Sequence, residues 1–279
     1  MKIGFIGAGK VGSSLGKYFS DSGTVMGYFS RSAESARFAA ELTSTKFYNS
    51  IKELADECDV IFITTPDGVI PQVWEELKLL NVAGKTICHC SGSLSSAIFG
   101  GIDDAGAYGL SVHPLQAISD KENSFQLLGD CVFTVEGDAR MAQEMMSFLE
   151  GLGNTVRVIS ADNKTLYHAA AVFVSNLPIA LTQIGTDILK RCGFDDESAR
   201  RALAPLIIGS AGNAAQKGAT GALTGPVERG DAETVAAHLG AINDDEREIY
   251  SLLTNKLVEI ASEKNPTRDY TKIVKILED

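Results

Sequence analysis

The chain has 279 residues, 44% of them hydrophobic, which is enough for one large domain or two ordinary ones. Its formal net charge of −11 at pH 7 disfavours nucleic acid and anionic membrane surfaces as partners. No signal-peptide pattern precedes the first strand, and the longest apolar stretch, Ala169–Leu181, is interrupted and too short to span a bilayer. We therefore expect a cytoplasmic protein that binds small molecules, not nucleic acid or membrane.

The five cysteines are an odd number, and four of them lie in apolar sequence surroundings. The sequence Cys88-His89-Cys90 suggests a metal site, but neighbouring side chains on a strand point to opposite faces. His89 would then face away from both thiols, and no second pair with zinc-ligand spacing occurs. We expect reduced thiols and no metal.

Strand and helix patterns alternate through the first 159 residues. An apolar run at Lys2–Ile6 precedes a glycine-rich segment and a helix that extends to about Ser20. Further strands are predicted at Thr24–Ser30, Val60–Thr64, Thr86–His89, Ala107–Ser111, Val132–Val135 and Val156–Ile159. Helices are predicted at Ser32–Leu42, Ile70–Leu80 and Ala139–Leu149. This alternation indicates an α/β fold, a doubly wound parallel Rossmann sheet with ligand at the carboxyl ends of its strands.

Beyond about residue 160 the strand patterns stop. Asn163–Cys192 is predicted as one long helix that Pro178 should kink or break. A second helix is predicted at Asp195–Lys217, with Asp195 as its N-cap and Gly218 as its end. A glycine-rich loop over 218–230 and helices at Ala232–Leu239, Asp244–Ala261 and Thr267–Leu277 follow. We expect a dinucleotide-binding domain at 1–159 and an all-helical substrate or dimerisation domain at 160–279.

The segment after the first strand fits the pattern G-x-G-x-x-G. Gly7 allows a tight turn, Gly9 lets the backbone approach a pyrophosphate, and Gly12 lets the helix pack against the strand. The helix N-terminus then offers free N–H groups to the phosphates. An ordinary tight turn is the alternative, but the position between strand and helix favours a dinucleotide site. The predicted site comprises Gly7, Ala8, Gly9, Lys10, Val11 and Gly12.

The end of the second strand predicts which dinucleotide binds. An NAD site would place Asp or Glu there, whereas this chain has Ser30-Arg31-Ser32. A guanidinium between two hydroxyls suits a 2′-phosphate and predicts NADP(H) as the cofactor. The alternative is that Arg31 is a solvated residue at the start of a helix.

The ends of the later strands supply candidates near the nicotinamide. Thr65 and Pro66 follow one strand and Ser91 follows the next, so we predict that all three contact the cofactor. His113 follows a third strand, and its position above a sheet favours a catalytic role. Capping the strand before Pro114 is an equal alternative for His113.

The helical half contains further candidates. His168 can exchange a proton near neutral pH, and Asn176, eight positions later, can donate to and accept from a substrate. The alternative for both is a satisfied buried polar group. In the following loop, Thr224 could orient a substrate and Arg229 could bind its carboxylate, whereas Asp231 is better suited to capping a helix.

Several segments together resemble a known family. They are Gly7–Gly12, Ser30–Ser32, Ser91–Ser93, His113–Gln116, Tyr167–Ala171 with Ser175-Asn176, and Thr224–Pro226 with Arg229–Asp231. In this order they resemble NADP oxidoreductases with a Rossmann-like N-terminal domain and a helical C-terminal domain of unknown function. More distantly the layout is similar to pyrroline-5-carboxylate reductase, the β-hydroxyacid dehydrogenases and the deazaflavin (coenzyme F420)-dependent NADP oxidoreductases.

The resemblance implies a cytoplasmic protein that binds NADP and is often a homodimer through the helical domain. It does not supply a substrate. In β-hydroxyacid dehydrogenases a Lys lies four residues before an Asn, whereas here Val172 lies at that spacing before Asn176. A mechanism based on that lysine does not carry over, so His168 is the first candidate for the proton donor.

Three functions are compatible with these observations. The leading hypothesis is an NADPH-dependent reductase of a small carbonyl or imine compound, with His168 as the acid. Asn176, with Thr224 or Arg229, would orient the substrate. A non-catalytic NADP(H) sensor or scaffold and a hydride exchanger between NADP and a deazaflavin are the alternatives.

Overall fold

The computed structural model describes residues 1–278 and forms two units, Met1–Ser175 and a second that begins at Asn176. The first unit therefore contains the helix Lys164–Ser175 in addition to the sheet. The sequence predicts a boundary near residue 160, sixteen residues earlier, because strand patterns end there.

Eight strands form one sheet in the first unit, in the order β3-β2-β1-β4-β5-β6-β7-β8. They are β1 Ile3–Ile6, β2 Val25–Phe29, β3 Lys46–Phe47, β4 Val60–Ile63, β5 Thr86–His89, β6 Tyr108–Pro114, β7 Val132–Gly137 and β8 Thr155–Val158. All neighbours are parallel except β6 and β7, which are antiparallel. The mostly parallel α/β fold is confirmed. The antiparallel pair departs from it because the β6–β7 connection contains a short 3₁₀ turn but no α-helical crossover.

Six α-helices accompany the sheet. They are α1 Lys10–Ser20, α2 Ala33–Thr43, α3 Ile51–Glu57, α4 Ile70–Leu77, α5 Ala139–Gly151 and α6 Lys164–Ser175. β3 and α3 were not predicted from the sequence. β3 has only two residues, and α3 has seven and begins where the Ser50 side chain accepts the Glu53 N–H.

The sheet is buried on both faces, which explains the continuous apolar runs of its strands. On one face Phe5 stacks between Tyr28 and Phe62, with ring centroids 5.3 and 5.4 Å away. Neighbouring residues of β5 confirm the alternation of faces, because Cys88 belongs to this cluster whereas His89 contacts Phe99 in the other. His89 therefore points away from the thiol of Cys88.

The second unit is helical. It contains α7 Leu177–Arg191, α8 Asp196–Ala222, α9 Pro226–Arg229, α10 Ala232–Ala241, α11 Asp244–Lys264 and α12 Thr271–Glu278. The predicted break near Pro178 is confirmed, since α6 ends at Ser175 and α7 begins at Leu177. Asp195 caps α8 as predicted. The predicted end at Gly218 is confirmed, because its φ of 71° is non-helical and interrupts the helix; a further helical turn to Ala222 follows the kink.

One helical stretch among residues 1–278, Ala161–Arg191, is long and apolar enough by length and composition to cross a membrane. This corrects the expectation drawn from the shorter run Ala169–Leu181, because helix extends beyond that run on both sides. A single stretch of this kind is weak evidence for a membrane span, since other apolar helices meet the same length and composition criteria. The stretch is interrupted between α6 and α7, and its apolar side chains, including Phe173 and Ile179, are exposed.

Candidate functional site

The glycine loop between β1 and α1 has the geometry expected of a phosphate cradle. Gly7 has a φ of 111°, which favours glycine. A methyl group on Gly12 would lie 2.3 Å from the Gly7 carbonyl oxygen and 2.5 Å from Thr64 Oγ1, so α1 packs against the strands only without a side chain there. A methyl group on Gly9 would meet no atom within 4 Å, so the backbone faces open space.

A cavity of about 370 Å³ extends from this loop past the end of β2. The predicted cofactor residues that line it are Gly7, Ala8, Gly9, Ser30, Arg31, Thr65 and Pro66. Ser32 does not line it, because its hydroxyl caps α2 by accepting the Ser35 N–H at 3.2 Å. Ser35 and Lys121 line the cavity instead. Lys121, on the connection after β6, therefore adds a second positive charge that the sequence analysis missed.

A second cavity continues the groove along the ends of β4 and β5, since both cavities share Gly9, Thr65 and Pro66. The other predicted cofactor residues that line it are Lys10, Val11 and Ser91. The Ser91 hydroxyl donates to Asp67 Oδ2 at 2.7 Å, which fixes its orientation. Asp67, which also lines this cavity, was not predicted as a site residue.

Two imidazoles approach the loop after β5. A methyl group on Gly92 would lie 2.5 Å from His168 Nδ1 and 3.0 Å from His113 Nε2, so both rings face the same backbone position. The ring centroids are 6.4 Å apart, and the Tyr167 hydroxyl lies 2.8 Å from His113 Nδ1. His168 Nδ1 is buried and has no hydrogen-bond partner within residues 1–278.

His113 lies within β6, paired with Thr134, and not in a loop after the strand as the sequence predicts. Antiparallel pairing with β7 extends the strand to Pro114. Burial, followed by the nearby charges of Lys164 and His168, lowers the pKa of His113 to about 3. The His113 ring is therefore neutral near pH 7, while burial raises the pKa of Tyr167.

Lys164 is the main residue that the sequence analysis missed. Its side chain is buried, and burial lowers its pKa to about 8. Lys164 precedes Tyr167 by three residues and His168 by four, and this spacing places the three side chains on one helix face. That spacing is a signal for Lys164 in the sequence, whereas the lysine position of the β-hydroxyacid dehydrogenases, four residues before Asn176, holds Val172.

The other predicted catalytic residues belong to the second unit. Asn176 lies at the break between α6 and α7, one residue beyond the end of the helix that carries His168. Thr224 and Arg229 are both exposed. Asp231 caps α10 by accepting the Thr234 N–H at 3.0 Å, as predicted. The proposed roles of Asn176, Thr224 and Arg229 stay predictions.

Two family models match different parts of this chain. Residues 2–90 match the family described as NADP oxidoreductase coenzyme F420-dependent, and residues 131–257 match a domain of unknown function, DUF2520. Protein TM1727 from Thermotoga maritima is 30% identical and has a TM-score of 0.75. The match covers 94% of this chain and 99% of that chain. No curated protein sequence matches significantly.

Two more distant structures share the fold. A pyrroline-5-carboxylate reductase from Coxiella burnetii is 16% identical with a TM-score of 0.61, over 94% of this chain and 98% of that chain. An imine reductase from Myxococcus stipitatus in complex with NADP+ is 17% identical with a TM-score of 0.62, over 100% of both chains.

The fold and the glycine loop define a class, a Rossmann-like nucleotide-binding domain followed by a helical domain. Within that class, the chain belongs to the family of TM1727. This chain itself combines an NADP oxidoreductase region with a DUF2520 region.

Proposed function

We propose that this chain is an NADP(H)-dependent reductase of a small carbonyl or imine compound. The observation that carries the proposal is one groove that runs from Arg31 past the glycine loop to Ser91, the residue before Gly92. Two imidazoles face Gly92. A dinucleotide groove that ends beside ionisable groups is the arrangement a hydride-transfer enzyme needs.

The groove fits a dinucleotide with a 2′-phosphate. The open backbone at Gly9 and the N-terminus of α1 suit a pyrophosphate. Arg31 and Lys121 line the end of the groove next to β2, together with the Ser30 and Ser35 side chains. Two cations and two hydroxyl groups suit a phosphate dianion better than uncharged ribose hydroxyls.

When bound, a reduced nicotinamide supplies a hydride to the substrate carbon. The substrate oxygen or nitrogen then needs a proton from the chain. The His113 ring is neutral. If the Tyr167 hydroxyl donates to His113 Nδ1, the ring proton of His113 lies on Nε2. The Nε2–H group can then donate a hydrogen bond to a polar substrate atom. We assign the proton transfer to His168, whose Nδ1 has no partner among the described residues.

The test is a screen for NADPH oxidation with small ketones, aldehydes and cyclic imines. We expect turnover with at least one class, and a loss of about 100-fold or more in His168→Gln with NADPH binding retained. His238→Gln is the matched control, because His238 is exposed and pairs with Tyr250 in the second unit. Tight NADPH binding without turnover across the panel would instead support a sensor or scaffold.

The match of residues 2–90 favours a second candidate, hydride exchange between NADP and a deazaflavin. Spectroscopic titration of the protein with coenzyme F420 tests it. Binding followed by reduction of the deazaflavin by NADPH would support this function, and no binding would exclude it.

We also propose that a second copy of the chain covers the exposed apolar side chains of α8 in the helical unit. Leu206, Ile207 and Ile208 follow one another on α8 and are all exposed. Exposed apolar clusters on helices are typical of subunit interfaces. Light scattering should give the mass of a dimer, and Ile208→Lys should give a monomer. A wild-type monomer at micromolar concentration would refute the proposal.

A further inference from the structure

Lys164 is buried next to the backbone segment that the imidazoles of His113 and His168 contact. Only 1% of its surface is exposed, and no other lysine or arginine is buried among residues 1–278. Its Nζ donates to the Ser91 carbonyl oxygen at 2.9 Å and to Ser111 Oγ at 2.7 Å. Lys164 therefore links the end of β5 to the middle of β6 from the first turn of α6.

A buried ammonium is costly unless its protons are bonded and opposite charge is near. Lys164 has two short charge-assisted hydrogen bonds, and the carboxylates of Glu136 and Asp67 favour its charged form. Both acceptors and both carboxylates belong to the sheet or to loops at its edge. The Lys164 ammonium therefore stays buried beside the sheet even though its removal from water costs free energy.

The position of the ammonium relates it directly to the two imidazoles. Ser91, whose carbonyl oxygen it holds, immediately precedes Gly92, against which His113 and His168 rest. The ring of His168 is on the same helix face as Lys164, one turn later. Lys164 therefore connects α6, the helix that carries His168, to the Ser91-Gly92 backbone that both rings contact.

We propose that Lys164 is a positioning residue: its ammonium fixes the Ser91-Gly92 backbone to α6, and so sets where both imidazoles lie. The proposal rests on the proposed function in so far as these imidazoles serve proton transfer. The charge has a second consequence. The groups that face His113 are Lys164, His168, His89 and the Tyr167 hydroxyl, and the ammonium opposes a positive charge on its ring.

Histidine NMR tests the proposal without any turnover. The chain has only four histidines, so single His→Gln variants assign the imidazole ¹⁵N signals. In Lys164→Met we expect shifted signals for His113 and His168, and a proton affinity of His113 at least tenfold higher. Lys85→Met is the matched control, because Lys85 Nζ also donates to a backbone carbonyl, that of Cys58, at 2.8 Å.

The wild-type protein provides a second measurement that does not depend on whether Lys164→Met folds. Its His113 signals should shift in a step near pH 8, where Lys164 loses its proton, and Lys85→Met should keep that step. Lys164→Met signals equal to the wild type, or no step near pH 8, would overturn the proposal. A missing reductase activity would overturn the proposed function but leave these spectra unchanged, so the two failures are distinguishable.

Discussion

Replacing Lys164 with Met should change how stability depends on pH. In the folded state the pKa of Lys164 is lowered to about 8 by burial, against 10.5 for an ordinary lysine. Between these values the folded chain binds fewer protons than the unfolded chain, so a rise in pH favours folding. The penalty for the buried charge is largest below pH 8 and fades as the pH approaches 10.5.

The magnitude follows from the two pKa values. The difference in proton binding opposes folding by about 3 kcal/mol at pH 7 and by about 1.4 kcal/mol at pH 9.5. Lys164→Met has no such group. The unfolding free energy of the variant, relative to the wild type, should therefore fall by about 2 kcal/mol from pH 7 to 9.5.

Urea unfolding of both proteins at a series of pH values, with reductant present, measures this difference. Comparison with the variant removes the contributions of the tyrosines and thiols, which both proteins share. Lys85→Met is the matched control, because Lys85 is only partly buried. A difference that stays constant between pH 7 and 9.5 would refute the claim that burial lowers the pKa of Lys164.

Four further predictions concern the groove and the imidazoles. Gly12→Ala should lower stability by about 1–3 kcal/mol in thermal unfolding, because its methyl group would lie 2.3 Å from the Gly7 carbonyl oxygen. Gly9→Ala should leave stability unchanged but weaken NADPH binding at least tenfold, because its methyl group would point into open groove. Gly92→Ala should displace both imidazoles, which histidine NMR detects, and abolish turnover without loss of NADPH binding. Lys121→Met should weaken NADPH binding about three- to tenfold and leave NADH binding unchanged.

Matched control variants distinguish these effects from a nonspecific loss of stability. Gly100→Ala is the control for Gly92→Ala, since a methyl group on Gly100 would meet no atom within 4 Å. Lys78→Met is the control for Lys121→Met, because Lys78 pairs with Glu75 on α4 and does not line the groove. If a control reproduces the effect of its partner variant, the corresponding explanation is wrong.

The sequence predicted the α/β architecture because its strands are apolar runs buried on both faces. The break near Pro178 was predictable, since proline disrupts helix locally. The interruption at Gly218 was predictable as well, because glycine permits a positive φ, whereas the further helical turn to Ala222 was not. β3 could not be predicted, since two residues have no periodicity.

The cofactor groove was more predictable than the catalytic site. Gly7, Gly9 and Arg31 lie in one continuous βαβ segment, where spacing alone determines the geometry. Lys121 and Lys164 reach the site from distant parts of the chain, and only the folded sheet brings them there. The spacing of Lys164 with Tyr167 and His168 indicates a shared helix face but does not indicate that the lysine is buried.

Nicotinamide fluorescence during titration with NADPH and with NADH measures the cofactor preference that we assign to Arg31. We expect the wild type to bind NADPH at least tenfold more tightly than NADH, and Arg31→Ala to lose most of this preference. Equal affinity of the wild type for both nucleotides, or an unchanged preference in Arg31→Ala, would contradict it.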